Sequence, residues 1–217
     1  MNLFVGGEFQ KFGYLEERIL RSIGLESNWN IVDVGCGSGR LALRLKGFLE
    51  GQYLGTDLVD DVLDYANSIV NRPNFSFHRV EDCTIPSTEN FADAIVFFSV
   101  FTHLYDEDCF RYLKESKRVS KNNALIVLSF FDFEEPNHWW VFDQALKNPD
   151  PNKVPSTFLS KSALRKWCEV LNLEIESIYA GSEAWIPIEK DIGFDDQSNP
   201  TGKAEFGQSV AVIRTSS

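Results

Sequence analysis

The sequence is poor in the residues that build metal centres and disulfide frameworks. Of 217 residues only four are cysteine and three histidine. Cys36, Cys83, Cys109 and Cys168 stand too far apart to form a paired ligand motif. A zinc site is therefore not expected, and scattered thiols fit a reducing compartment, which points to the cytoplasm. No run approaches the roughly 18 apolar residues of a membrane span. Met1 to Phe12 also lacks the basic-then-apolar order of a secretory signal. Clusters of lysine or arginine are missing as well. With a formal net charge of −11 and no grouped cations to release counterions, neither nucleic acid nor an anionic membrane is expected as a partner. A small or neutral substrate is the natural expectation.

What is present is an alternation of short apolar runs and amphipathic stretches. Phe9 to Gly24 predicts a helix, with Phe12, Leu15, Ile19 and Ile23 on one face. Strands are expected at Ile31–Val34, Gln52–Thr56, Phe75–Phe77, Ala94–Phe98 and Ala124–Phe131, with helices between them. Such alternation predicts an α/β fold, a doubly wound Rossmann-like sheet with helices on both faces. Asp132 to Thr157 carries prolines, asparagines and large aromatics, and reads as a loop-rich insertion. A helix capped by Ser160 follows, and then two closing strands, Leu173–Tyr179 and Ser209–Ile213, flank a polar stretch from Gly181 to Gly207. The length suits a single domain over 1–217 with insertions near 132–157 and 181–207.

The sharpest local signal is Ile31-Val32-Asp33-Val34-Gly35-Cys36-Gly37-Ser38-Gly39-Arg40, a strand running into three alternating glycines before a helix. Glycines there admit backbone angles closed to other residues and leave no Cβ between backbone and ligand. In an open α/β sheet such a turn lies at the carboxyl edge, where ligands bind. Asp57 ends the next strand, placed to accept hydrogen bonds from both hydroxyls of a ribose. Asp82, followed by Cys83, could accept from an adenine amino group. A nicotinamide dinucleotide uses similar geometry, and Gly37, Gly39 and Ala42 satisfy a loose version of its fingerprint. Charge separates the two: Asp33 suits an amino group near a cationic sulfonium and is a poor neighbour for a pyrophosphate.

Asp33-x-Gly35-x-Gly37-x-Gly39, Gly55-x-Asp57, Glu81-Asp82 and Phe91-Ala92-Asp93-Ala94-Ile95 resemble, in order, the motifs of class I S-adenosylmethionine-dependent methyltransferases. The resemblance covers roughly Phe9 to Phe131. It implies a seven-stranded sheet with an antiparallel last strand, and S-adenosylmethionine across its carboxyl edge. Asp33, Gly35 and Gly37, with Cys36 between the glycines, would then line the methionine side. Asp57 and Leu58 would hold ribose and adenine, Asp82 and Cys83 the adenine, and Ser99 the cofactor from the fourth strand.

The stretch Ser99-Val100-Phe101-Thr102-His103-Leu104-Tyr105 should flank the reacting methyl, and similar segments recur in small bacterial enzymes of that class. His103 is the candidate general base, because its unperturbed pKa lies near neutrality. Trp139 and Trp140 of the insertion and Trp185 of the late loop are candidate substrate contacts, able to stack on a sugar or another flat ring. Likeness of Ser99–Leu104 and of Phe206-Gly207-Gln208-Ser209 to enzymes near polysaccharide pathways points to O-methylation of a small molecule or glycan. N-methylation of a small amine, or a cofactor-binding partner protein without turnover, remain open.

Overall fold

The computed structural model describes residues 8–148, 154–189 and 202–216. In the sequence, Phe4, Gly6, Gly7, Phe9 and Phe12 are candidates to fold over a bound ligand; the first three lie outside the described residues. Two compact units are present, one of residues 1–81 with 183–206 and one of 82–182 with 207–217.

The first unit is built on three parallel strands, β1 (Ile31–Val34), β2 (Tyr53–Asp57) and β3 (Phe75–Arg79), in the order β3-β2-β1. All four residues of β1 are buried, as expected of an interior parallel strand covered on both faces. Helices α1 (Phe9–Ser22), α2 (Arg40–Leu45) and α3 (Asp60–Val70) belong to this unit. The first ends where Gly24 turns to φ +95°, and α3 ends on Asn71 in the left-handed region, two residues before Pro73. A small pair, β7 (Ile186–Pro187) and β8 (Lys203–Ala204), packs against α1. Arg18 ties it down by donating to the Pro187 carbonyl at 2.9 Å.

The second unit carries β4 (Ala92–Phe97), β5 (Ser120–Phe130), β6 (Leu173–Tyr179) and β9 (Ser209–Thr215), in the order β4-β5-β9-β6. β4 and β5 run parallel, and β9 runs antiparallel to both β5 and β6. The fold is therefore the expected seven-stranded, mostly parallel sheet with its last strand reversed. Helix α4 (Asp106–Val119) begins with three acids that favour the positive end of its dipole. In α6 (Lys161–Leu171) the Ser160 hydroxyl accepts from Ala163 N–H at 3.1 Å, the expected cap.

The loop-rich reading of 132–157 needs correction, since His138–Lys147 forms a helix, α5. Its prolines lie on either side of the helix rather than within it. Trp139 and Phe142, three apart and so on one face, close on Phe133 at ring distances of 5.8 and 5.5 Å, and Phe133 stacks on Phe158 at 4.1 Å. Among the described residues no helix is long and apolar enough to cross a membrane.

Gly39 does more than open the glycine-rich turn. It sits at φ +81°, and a Cβ there would lie 2.8 Å from the Ala66 Cβ of α3. Gly39→Ala should lower stability by about 1–3 kcal/mol from backbone strain, and the clash adds to that. Urea denaturation would show it as a reduced midpoint at unchanged slope.

Candidate functional site

In the first unit, β1 delivers its chain to a turn in which Gly35, Gly37 and Gly39 all have positive φ, at 71°, 52° and 81°. The turn is anchored to β2: Gly35 N–H and Cys36 N–H both donate to the Thr56 carbonyl, at 2.8 and 2.9 Å. Asp57, half-exposed at the end of β2, accepts from Gly37 N–H at 2.9 Å and from Val59 N–H at 3.1 Å. Each carboxylate oxygen thus spends one acceptor site on the backbone and keeps capacity for a ligand. Leu58 is exposed beside it, while Cys36 is buried, and burial pushes its thiol well above the ordinary range. The structure therefore gathers Asp33, Gly35, Cys36, Gly37, Asp57 and Leu58 at the carboxyl ends of β1 and β2.

Asp33 lies deeper, only 4% exposed, and accepts a hydrogen bond from the Tyr53 phenol. Burial raises its pKa to about 8, against the Tyr53 bond, which favours the carboxylate. Glu16 of α1 and Arg40 of α2, both buried, form an ion pair at 2.5 Å nearby. Burial lifts Glu16 to about 7 despite the guanidinium. Sequence reasoning missed Glu16, Arg40 and Tyr53. The available signal was Glu16 and Glu17 directly following Tyr14 and Leu15 on the apolar side of α1.

The second unit holds the remaining candidates. Asp82 is exposed and accepts from Thr84 Oγ1 at 2.5 Å. Cys83 is half-buried, its thiol raised to about 11 by burial and by Asp108. Ser99 follows β4 in the left-handed region, at φ +62°. Its N–H donates to Ser129 Oγ at 2.7 Å, Ser129 Oγ donates to Gln208 Oε1 at 2.7 Å, and Gln208 Nε2 donates to Ser99 Oγ at 3.0 Å. This closed ring fixes an otherwise strained residue at the end of β4. Ser129 and Gln208 were also missed, because small polar residues in strands carry no periodic signal.

His103 is exposed, and its Nδ1 lies 2.8 Å from the Pro155 carbonyl oxygen. A carbonyl can only accept, so Nδ1 carries the hydrogen, and in the neutral ring the lone pair is on Nε2. Trp139 and Trp140 on α5 are 52% and 67% exposed, whereas Trp185, in the first unit, is buried. Asp93 pairs with Lys121 at 2.7 Å. Among the described residues no group of three His, Cys, Asp or Glu side chains is placed to hold a metal.

These residues fit S-adenosylmethionine better than a dinucleotide. A backbone cradle without Cβ atoms is followed by one acid with spare acceptor capacity and backed by a second, buried acid lacking a cation of its own among the described residues. A diphosphate would bring further negative charge to that place.

Comparison with known proteins agrees. Residues 31–123 match the model of the methyltransferase domain family. Over 91% of its length the chain superposes on 97% of an S-adenosylmethionine-dependent methyltransferase from Methanosarcina mazei, with 18% identity and a TM-score of 0.64. For an Aquifex aeolicus methyltransferase of the same dependence the coverages are 96% and 98%, the identity 17% and the TM-score 0.61. The magnesium protoporphyrin IX methyltransferase of Synechocystis, solved with bound S-adenosylhomocysteine, is covered to 86% by 96% of this chain, at 13% identity and a TM-score of 0.66.

Proposed function

We propose that this chain, a class I S-adenosylmethionine-dependent methyltransferase, methylates a hydroxyl group of a small molecule or glycan. The observation that carries the choice of a hydroxyl is the His103 geometry. With Nδ1–H held by the Pro155 carbonyl, the free Nε2 of an exposed imidazole is ready to take a proton, which a hydroxyl nucleophile must lose and a neutral amine need not lose first.

The bound cofactor supplies an electrophilic methyl on a sulfonium sulfur. The chain's own residues bind and orient. In this reading Gly35, Cys36 and Gly37 admit the ligand to the backbone, Asp33 serves its amino group, and Asp57 accepts from its ribose hydroxyls. Leu58, Asp82 and Cys83 are assigned to the adenine, and Ser99, clamped by Gln208, to the cofactor from the end of β4. Trp139 and Trp140 offer exposed ring faces to a flat or sugar-like acceptor. Positioning of this kind is most of what a methyl transfer requires.

Thermal-shift titration should show stabilisation by S-adenosylhomocysteine and none by NADH. A panel of hydroxylated compounds, including saccharides, and of small amines is then followed by S-adenosylhomocysteine release. Turnover with amines alone would replace the hydroxyl reading, and binding without any turnover would favour a partner protein. Against a hydroxyl acceptor, His103→Ala should lower kcat by about 100-fold or more, the usual scale of general-base catalysis, with cofactor Kd unchanged. A variant as fast as the parent at neutral pH removes His103 as the base.

A further inference from the structure

Helix α5 is fastened at its first residue and leaves an apolar face uncovered. Of its ten residues only His138 is buried. The His138 Nδ1 accepts from the Asp132 N–H at 2.8 Å, just beyond β5, and its ring meets Phe131 edge-on at 5.3 Å. Trp139, Phe142 and Leu146 follow at spacings of three and four, so they share one side of the helix. Phe133 lies against the first two and stacks on Phe158. Even so, Phe133, Trp139 and Leu146 are all exposed. The acid and the base of this helix, Asp143 and Lys147, pair with each other, so they leave no unmatched charge beside the face.

That face continues into the reacting side. Residues 155–158 join the two. The Pro155 carbonyl accepts from His103 Nδ1–H. Thr157 N–H donates to the Thr102 carbonyl at 2.8 Å, and its hydroxyl donates to the Phe101 carbonyl at 3.0 Å. Phe158, next in the chain, is the ring stacked on Phe133 at 4.1 Å. One short segment therefore holds both the candidate base and the floor of the aromatic face. Three exposed apolar side chains fall far short of the roughly 20–30 residues a side of a stable protein interface. A second copy would also set a net charge of −11 against its like. What fits is a small molecule, whose sites are mostly apolar with a few polar groups that fix orientation.

We propose that the acceptor is an uncharged amphiphile: its hydroxyl lies at His103, and its apolar body, an alkyl chain or linked rings, lies along Phe133, Trp139 and Leu146. The helix rises about 10 Å from Trp139 to Leu146, which sets the length of that body. This inference rests on the hydroxyl reading above and narrows it, since a bare saccharide would leave the face in water. The apolar face supplies affinity without direction, and His103 supplies the direction.

Alkyl glucosides from methyl to octyl, kept below micelle formation, test it on the full chain, with Kd read by ligand-observed NMR. Kd should fall about threefold for each added methylene, and saturation transfer should be strongest at the tail protons. Trp139→Ala should raise Kd for octyl glucoside about tenfold. Leu146→Ser, at a side chain already 65% exposed, should raise it about fivefold, and it keeps the test valid if the tryptophan variant unfolds α5. A Kd flat along the series, or a slope unchanged in Leu146→Ser, overturns the proposal. Sedimentation of the chain with phosphatidylcholine vesicles overturns it in favour of a membrane surface, and dimerisation abolished by Leu146→Ser in favour of a second copy. A steep slope together with turnover of amines alone overturns the hydroxyl reading and leaves the apolar subsite standing.

Discussion

Asp57→Ala should weaken S-adenosylhomocysteine binding by about two orders of magnitude and cost the fold little. The carboxylate is charged, half-exposed and oriented before any ligand arrives, because Gly37 N–H and Val59 N–H hold its two oxygens at 2.9 and 3.1 Å. Hydrogen bonds to a charged acceptor contribute about 1.5–3 kcal/mol each. Losing two, with partial compensation by water, leaves a deficit of about 3 kcal/mol, roughly a hundredfold in Kd. The backbone donors released by the substitution are beside solvent: Val59 is 43% exposed, and its amide can rehydrate. Stability should therefore drop by only about 1 kcal/mol, the scale of a lost local cap. Asp57→Asn is the internal control. It keeps one acceptor oxygen but no charge, so its Kd should lie between parent and alanine variant. Calorimetry and thermal unfolding separate the two effects, and an alanine variant that binds like the parent would remove Asp57 from the ribose role.

Asp57 also shows why this half of the site is legible in the sequence. A strand of four apolar or buried residues, a turn of alternating glycines and an acid ending the next strand are all local patterns, and each has one physical cause. The glycines show it directly, with three positive φ values in five residues. Legibility fails where meaning is set across the fold. Glu16 lies on an amphipathic helix, where a glutamate ordinarily marks the solvated face; only the arrival of Arg40 from α2 makes a buried glutamate tolerable there. Gln208 looks like a polar residue before a strand until Ser99 and Ser129, 109 and 79 residues away, close the ring around it. Helix α5 is hidden differently. Its sequence, His138-Trp139-Trp140-Val141-Phe142, is framed by prolines and rich in aromatics with low helix propensity. Packing on Phe133 and Phe158 supplies what local preference does not.

The same buried cluster predicts the largest effect on stability. Arg40→Met keeps much of the apolar stem that covers the interior, yet removes the cation that pairs with Glu16. Breaking a buried pair by deleting one partner costs about 3–5 kcal/mol, which for a chain of this size is a fall in Tm on the order of 10 °C. The penalty should depend on pH, and its direction is fixed. Glu16 and Asp33 have folded pKa values raised to about 7 and 8 from ordinary values of 4.5 and 3.8. Between those limits the native state holds more protons than the unfolded chain, so the stability from these groups is full at low pH and is lost as pH rises through 7 to 8. Without Arg40, charging Glu16 becomes harder still. The variant should therefore lag the parent most at pH 8.5 and least near pH 5, where Glu16 is protonated and Arg40 in the parent has lost its partner's charge. Glu16→Gln combined with Arg40→Met removes both charges and should recover most of the loss, since a buried pair replaced as a unit is often close to neutral. Chemical denaturation of the three proteins at pH 5, 7 and 8.5 reads all of this, and a penalty constant across that range would mean that the guanidinium acts through packing alone.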